Sequence, residues 1–354
     1  MIQKPPAHSP VPPAAKLPRL GFLGMGWIGR RRLEAIIEAN AAEIVAIADP
    51  ARELVEQTAA LAPGALHLET LPELLEQKLD GLVIATPSAL HAEQTIQALE
   101  RGLAVFCQKP LGRDALEVRR IVDVARAADR LLGVDLSYRH IRGIQVIREL
   151  ILGGQLGQIF AVDLVFHNAF GPAKSWFYDP QLSGGGCVVD LGIHLVDLVL
   201  WALETSVTAV TSRVLAGGLP LTTERAVVED YATARLDLAN GAVANLSCSW
   251  RLHAGRQAVI EARFFGTSGG AALRNIGGSF TEFCSERFSG TSSEVLAEPP
   301  EEWGGRAAVA WTEQLAASRA FDPTVEKQIE VAAVLDAIYG RASSAPLLAG
   351  GVSA

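Results

Sequence analysis

From residue 20 to about 134, short apolar runs alternate with longer stretches in which apolar positions recur every three to four residues. The short runs predict strands at 20–23, 44–48, 82–85, 104–107 and 131–134. The periodic stretches predict helices at 31–39, 53–61, 89–101 and 115–128. Strands so uniformly apolar are expected where helices cover both faces of a parallel sheet. The alternation argues for a doubly wound α/β domain.

The rhythm changes after Tyr138. One more helix is expected at 141–152, then long β-type segments at 160–167, 206–214, 231–238, 243–250 and 258–265. Asn240-Gly241 between two of them is a strong hairpin signal. Helices at 187–203 and 324–340 complete the pattern. Few helices separate these strands, so the second sheet is expected to be mostly antiparallel, with one face open or used for association. The prolines of residues 1–17 predict a disordered extension. The chain thus divides into 1–17, an α/β domain at 18–137 and an α+β domain at 138–346.

Composition narrows the function. The 354 residues are 49% hydrophobic and 20% charged, with a net charge of −8. That balance fills a core and argues against a nucleic-acid or anionic-membrane partner, which needs clustered positive charge. No apolar run reads as the roughly 18 residues of a membrane span. Cysteines 107, 187, 248 and 284 form no CxxC pair, so reduced thiols and a cytoplasmic setting are expected.

Gly24-Met25-Gly26-Trp27-Ile28-Gly29 is a GxGxxG pattern between a strand and a helix. Such glycines allow a tight turn, approach of backbone to a pyrophosphate, and close helix–strand packing. The helix N-terminus then offers unpaired N–H groups to phosphate. Asp49, 25 residues after Gly24, ends the second strand where an acid contacts the ribose hydroxyls of NAD. A cap for the next helix, with Pro50 at its first position, is the other reading. NAD is favoured, and NADP is possible because Arg52 is near. Thr86, Pro87, His91, Gln108 and Lys109 follow later strands and should line the same crevice.

Residues 182–203 carry Asp190, His194 and Asp197 in a helix otherwise apolar all round, and a helix of that kind is buried. At roughly 100° per residue the three share one face. A histidine held by an aspartate is a general base of controlled tautomer. The alternative is an Asp–His hydrogen bond satisfied in a core. HxxD alone makes an incomplete metal set, so no metal is expected.

Together these motifs resemble the glucose–fructose oxidoreductase / inositol dehydrogenase (Gfo/Idh/MocA) family. GMGWIG resembles its dinucleotide fingerprint, ATPSALH its TP-x-x-x-H segment and YRH at 138–140 its Y-R segment. GGGCVVDLGIHLVD resembles its GGG-x-x-x-D-x-G-x-H-x-x-D helix. CQKPLG matches its E-K-P segment, with Gln108 where glutamate is usual. The resemblance implies a Rossmann domain followed by an open-faced sheet domain that makes dimers or tetramers. It also implies a catalytic set at Lys109, Asp190 and His194. The function it implies is NAD(P)-dependent hydride transfer to or from a sugar, cyclitol or related polyol. An NAD-dependent glycoside hydrolase and a non-catalytic nicotinamide sensor are the alternatives. The mixture of Arg139, His140, Asn168, Lys174, Trp176 and Tyr178 suits a polyol, with Asp190 and His194 beside it.

Overall fold

A computed structural model describes residues 16–222 and 227–341. Most of the expected 1–17 extension, and the end of the 138–346 domain, lie outside the described residues. Six parallel strands form the first sheet: β1 (Arg19–Leu23), β2 (Glu43–Ala48), β3 (Leu66–Leu68), β4 (Gly81–Ile84), β5 (Ala104–Cys107) and β6 (Leu132–Val134). Their order is β3-β2-β1-β4-β5-β6, the dinucleotide-binding arrangement whose switch point lies between β1 and β4. Five strands agree with the apolar runs; β3, Leu-His-Leu and largely exposed, carries no apolar run to read.

Both faces of this sheet are covered. One core packs α3 (Leu71–Leu75), α4 (Ser88–Glu100) and α5 (Ala115–Ala128), capped by Asp114, against the strands. The other packs α1 (Trp27–Glu38) and α2 (Arg52–Ala59). The expected helix at 31–39 therefore starts four residues earlier, directly on the glycine turn.

The second domain opens with α6 (Arg142–Leu152) and builds a nine-stranded sheet. Its strands are β7 (Ile159–Asn168), β8 (Val207–Ala216), β9 (Leu219–Pro220), β10 (Tyr231–Leu238), β11 (Val243–Ser249), β12 (Ala258–Gly266), β13 (Gly270–Asn275), β14 (Phe283–Ser289) and β15 (Ser292–Ala297). The order is β15-β14-β13-β12-β7-β11-β10-β8-β9. Every pair is antiparallel except β7–β11, so a single parallel seam interrupts the expected antiparallel sheet. The β10–β11 hairpin turns at Asn240-Gly241, where Gly241 has φ +85°. Along β10, Ala232, Ala234, Leu236 and Leu238 are buried, while Thr233 and Arg235 are exposed. That alternation separates a helix-covered face from an open one.

On the covered face, the short α7 (Pro180–Ser183) and a π turn (Val188–Gly192) lead into α8 (Ile193–Leu203). The helical run Pro180–Leu203 is, contrary to the sequence expectation, long and apolar enough to cross a membrane. Its most apolar stretch is 89% buried inside the protein, so the run is a core helix here. After β15 the chain returns to the first domain. There α9 (Arg306–Ala317) sets Trp311 against Phe106 of β5, with ring centroids 5.6 Å apart. Burying such an indole contributes roughly 4–6 kcal/mol. The last helix, α10 (Lys327–Ile338), packs between α5 and α8.

One ion pair ties these parts together. Arg32 on α1 meets Asp135 after β6 and the carbonyl of Gly304 before α9, and donates to Ser137 Oγ at 3.0 Å. Both charges are buried. Removing one leaves the other unpaired at low dielectric, so Arg32→Leu is expected to cost about 3–5 kcal/mol in urea unfolding. A loss below about 1 kcal/mol would show that the pair is not what holds the junction.

Candidate active site

A cleft of about 870 Å³ opens at the carboxyl ends of β1, β2, β4 and β5. The first domain supplies one wall with the glycine turn, Asp49, Thr86, Pro87, His91, Gln108 and Lys109. The second supplies the other with Lys174, Trp176, Phe177, Gly185, Gly186 and Asp190.

Each glycine of the turn has its own reason. Gly24 has φ +91°, and a Cβ there would meet the Ala85 carbonyl carbon at 2.7 Å. On Gly29 a Cβ would lie 2.0 Å from Gly24 O, which forbids any side chain. A Cβ on Gly26, by contrast, would find only Lys174 Nζ, at 3.4 Å. Gly26 precedes α1 with extended backbone, leaving backbone and helix N-terminus open to a phosphate. A dinucleotide fits this cradle. Trp27, 74% exposed, and Ile28 stand at its rim.

Asp49 does not cap the next helix, whose N-cap is Ala51 with no side-chain cap hydrogen bond; it ties the strand end to the glycine turn instead. Its Oδ1 accepts from Ala51 N at 2.8 Å and its Oδ2 from Met25 N at 2.7 Å. The helix starts at Arg52, so Pro50 lies before it. The carboxylate still lines the cleft with acceptor capacity to spare.

The His91 ring lies between two strand ends, and in its neutral form it donates to one of the two carbonyls. Its Nδ1 lies 2.6 Å from Pro110 O and its Nε2 2.8 Å from Thr86 O. Burial pushes its pKa below the ordinary 6.5, against the pull of both carbonyls. Thr86 Oγ1 donates to Gln94 Oε1 at 2.6 Å, and Gln108 Oε1 folds back to accept from Lys109 N at 2.7 Å.

Lys109 crosses the cleft. Its Nζ donates to Asp190 Oδ1 and to Asp190 O, each at 2.7 Å. Trp250 Nε1 donates to Asp190 Oδ2 at 3.1 Å. The expected Asp190–His194 hydrogen bond is not made. The face-sharing arithmetic assumed 3.6 residues per turn, and Asp190 sits in a π turn, which is wider. The turn is pinned from below. Glu229, fully buried, accepts from Gly186 N at 2.9 Å, Val188 N at 2.8 Å and Tyr339 Oη at 2.7 Å. Burial holds the Glu229 pKa above its ordinary 4.5.

His194 packs instead against Tyr138, ring centroids 4.7 Å apart, and near Phe166. It is 8% exposed and its Nδ1 has no partner among the described residues. Burial, then the charges of Lys109 and Arg32, pushes its pKa well below 6.5. Asp197, the third member of the expected face, pairs with Arg139.

The remaining expected substrate contacts divide. Trp176 lines the cleft, stacked on Phe177 at 3.8 Å. Arg139, His140, Asn168, Tyr178 and His194 are not part of its lining. Asn168 Oδ1 accepts from Phe170 N, and Tyr178 Oη donates to Pro172 O. Lys174, expected from the same loop, also lines the cleft; Phe177 and Trp250 were missed, and for Trp250 the available signal was a tryptophan closing a buried strand, whose N–H needs a partner.

Comparison with known proteins agrees with this architecture. Residues 18–136 match the model of an oxidoreductase family with an NAD-binding Rossmann fold, and residues 144–272 match a GFO/IDH/MocA C-terminal domain. The rhizopine catabolism protein MocA of Rhizobium meliloti is 30% identical over 262 residues, 72% of this chain and 78% of that protein. The D-glucoside 3-dehydrogenase of Escherichia coli K12 is 28% identical over 273 residues, 72% of this chain and 76% of its own length. Levoglucosan dehydrogenase, solved in complex with NADH and L-sorbose, superposes with a TM-score of 0.79 at 20% identity, covering 92% of this chain and 96% of that one.

The buried histidines set a pH limit on stability. In the unfolded chain they take protons near 6.5; in the folded chain His91 and His194 do so only at lower pH. Stability is thus complete above 6.5 and falls as pH drops below it, by up to about 1.4 kcal/mol per pH unit for each ring. Glu229 and Asp336, both raised by burial, work in the opposite sense above their ordinary values, against four lowered histidines, His91, His140, His167 and His194. The melting temperature should be lower at about pH 5.5 than at about 7.5, and the loss smaller in His194→Phe. Equal melting temperatures at both would refute the buried-neutral state of these rings.

Proposed function

This chain belongs to the Gfo/Idh/MocA family of NAD-binding oxidoreductases, and on that premise we propose that it moves hydride between a nicotinamide cofactor and a hydroxyl-bearing carbon of a sugar, cyclitol or related polyol. The observation that carries the reading is Lys109. It stands at the ligand end of β5, faces the cleft headed by the glycine turn, and is held by Asp190 from the opposite wall. An ammonium has three donors. Asp190 takes two, and the third is available to a substrate oxygen.

When bound, the nicotinamide supplies the hydride acceptor or donor. The chain's residues manage the proton. Lys109 donates to the reacting oxygen and stabilises the alkoxide as the carbon–hydrogen bond breaks. Asp190 keeps that ammonium in place. His194 accepts the hydroxyl proton, a role supported by its neutrality; its ring lies outside the cleft lining with Nδ1 buried, so the role requires the ring to turn into the cleft when substrate binds. Trp176 gives a polyol an apolar face to stack on. Gly24, Gly26, Trp27, Ile28 and Gly29 take the pyrophosphate, and Asp49 takes the adenine ribose. A carboxylate there repels a 2′-phosphate and favours NAD over NADP. Residues 18–137 form the cofactor domain, and residues 138–346 supply the substrate wall.

Screening aldoses and inositols for NAD reduction tests the class of substrate. In Lys109→Met, turnover should fall by about 10²–10⁴-fold while NADH still binds, more tightly than NADPH. His194→Phe, which keeps a ring packed on Tyr138, should lose turnover with little change in melting temperature. Retained turnover in His194→Phe would make that ring a core residue and leave the hydroxyl proton to a group other than the Lys109 ammonium.

We also propose that the open face of the nine-stranded sheet, where Asp163, Thr233, Arg235 and Asn245 are exposed, joins copies of the chain into a dimer or tetramer. Light scattering at micromolar concentration should give two or four times 37.6 kDa; a monomer alone would count against it. A cytoplasmic location, supported by four buried thiols without a disulfide, is checked by cell fractionation.

A further inference from the structure

We propose that Trp250 is a positioning residue of the active site: its indole N–H fixes the Asp190 carboxylate, and through it the Lys109 ammonium. The proposal rests on the reading of Lys109 and Asp190 as the reacting centre.

Trp250 directly follows β11 and is 3% exposed. Its backbone is tied by Trp250 N donating to Asp230 O at 2.8 Å, so the indole has little freedom to move. The ring is boxed edge-on by Phe177 at 6.3 Å and Tyr178 at 5.7 Å. From that box a single polar atom emerges, Nε1, and it reaches Asp190 Oδ2 at 3.1 Å. Asp190 Oδ1 is held by Lys109 at 2.7 Å. A carboxylate gripped at both oxygens cannot turn about its Cβ–Cγ bond. One gripped at Oδ1 alone can swing, leaving Asp190 O as the one fixed acceptor of the flexible lysine.

The arrangement has a second consequence. Phe177 lines the cleft beside Trp176 and touches Trp250 on its other side. A ligand pressing on that wall bears, through one ring, on the hydrogen bond that orients Asp190. Substrate recognition and the placement of Lys109 thus share the indole.

The test needs no substrate. The whole protein is labelled with trinitrobenzenesulfonate, and the rate at Lys109 is read by peptide mass spectrometry relative to exposed Lys78. Trp250→Phe keeps an aromatic ring and removes the donor. It should raise the relative Lys109 rate several-fold. Asp190→Asn should raise it at least as much, and the double variant no further than Asp190→Asn alone, because the indole acts only through the carboxylate. If Trp250→Phe does not fold, benzothienylalanine at 250 keeps the bicyclic shape and replaces the N–H by sulfur. An unchanged Lys109 rate in the donor-free variant, or an increase that adds to that of Asp190→Asn, overturns the proposal. If Asp190→Asn itself leaves the Lys109 rate unchanged, the ion pair is not holding the lysine, and the reading of the centre fails along with the role of Trp250.

Discussion

An ammonium from one domain and a carboxylate from the other meet across a half-buried cleft, and most of the site is arranged around that meeting. Lys109 and Asp190 are 81 residues apart in sequence, and each side chain is under a fifth exposed. Charges so placed are costly without a partner. The pair therefore does more than neutralise: it fixes the distance between the two walls at their point of closest chemistry. Apolar packing is non-directional and would leave that distance loosely defined.

Around the pair the interior is polar in layers. Glu229 and Tyr339 hold the glycine triple from beneath, and the glycines are there because nothing larger fits. A Cβ on Gly186 would lie 2.0 Å from Glu229 O, and one on Gly185 would lie 2.1 Å from Tyr339 Oη. The glycines admit Glu229, Glu229 caps the start of the π turn, and the π turn aims Asp190. On the other wall the His91 ring lies between the carbonyls after β4 and β5 and donates to one of them, beside the strand end that carries Lys109. Both members of the pair are thus presented by backbone held by buried hydrogen bonds, the kind of support that a reacting constellation needs.

Much of this was legible in the sequence, and the failures have physical causes. The five long strands of the first sheet, the GxGxxG turn and the strand-end position of Lys109 follow from apolar runs and glycine spacing. Besides β3, the elements that escaped are α3, α7, β9, β13, β14, β15 and α9. The strands open or close on polar and glycine-rich stretches, and the alanine-rich α9 hides its apolar stripe. The expected site departs from the structure in two respects: the partner of His194, and the expected substrate contacts Arg139, His140, Asn168 and Tyr178, which lie outside the cleft lining. Helical arithmetic put Asp190 against His194, but a single π turn, which no residue pattern announces, moves the carboxylate to Lys109. Arg139 and His140 sit beside the expected segment, yet Arg139 is spent on Asp197. Burial partners of this kind depend on the second domain folding over the first, and single-sequence periodicity does not contain that information.

The return of α9 to the first sheet bears on how the molecule is made. Trp311, Ala308 and Leu315 are core residues of the face that also holds Phe22, Val83 and Phe106. When a ribosome has finished residue 137, all six parallel strands exist but one face still lacks a helix that will be made some 170 residues later. The amino-terminal domain cannot be completed in the order of its synthesis. Its apolar face must wait for the whole antiparallel sheet to emerge, which ties the two halves into one cooperative unit. Such distant closure is slow and keeps greasy surface open to other chains in the meantime.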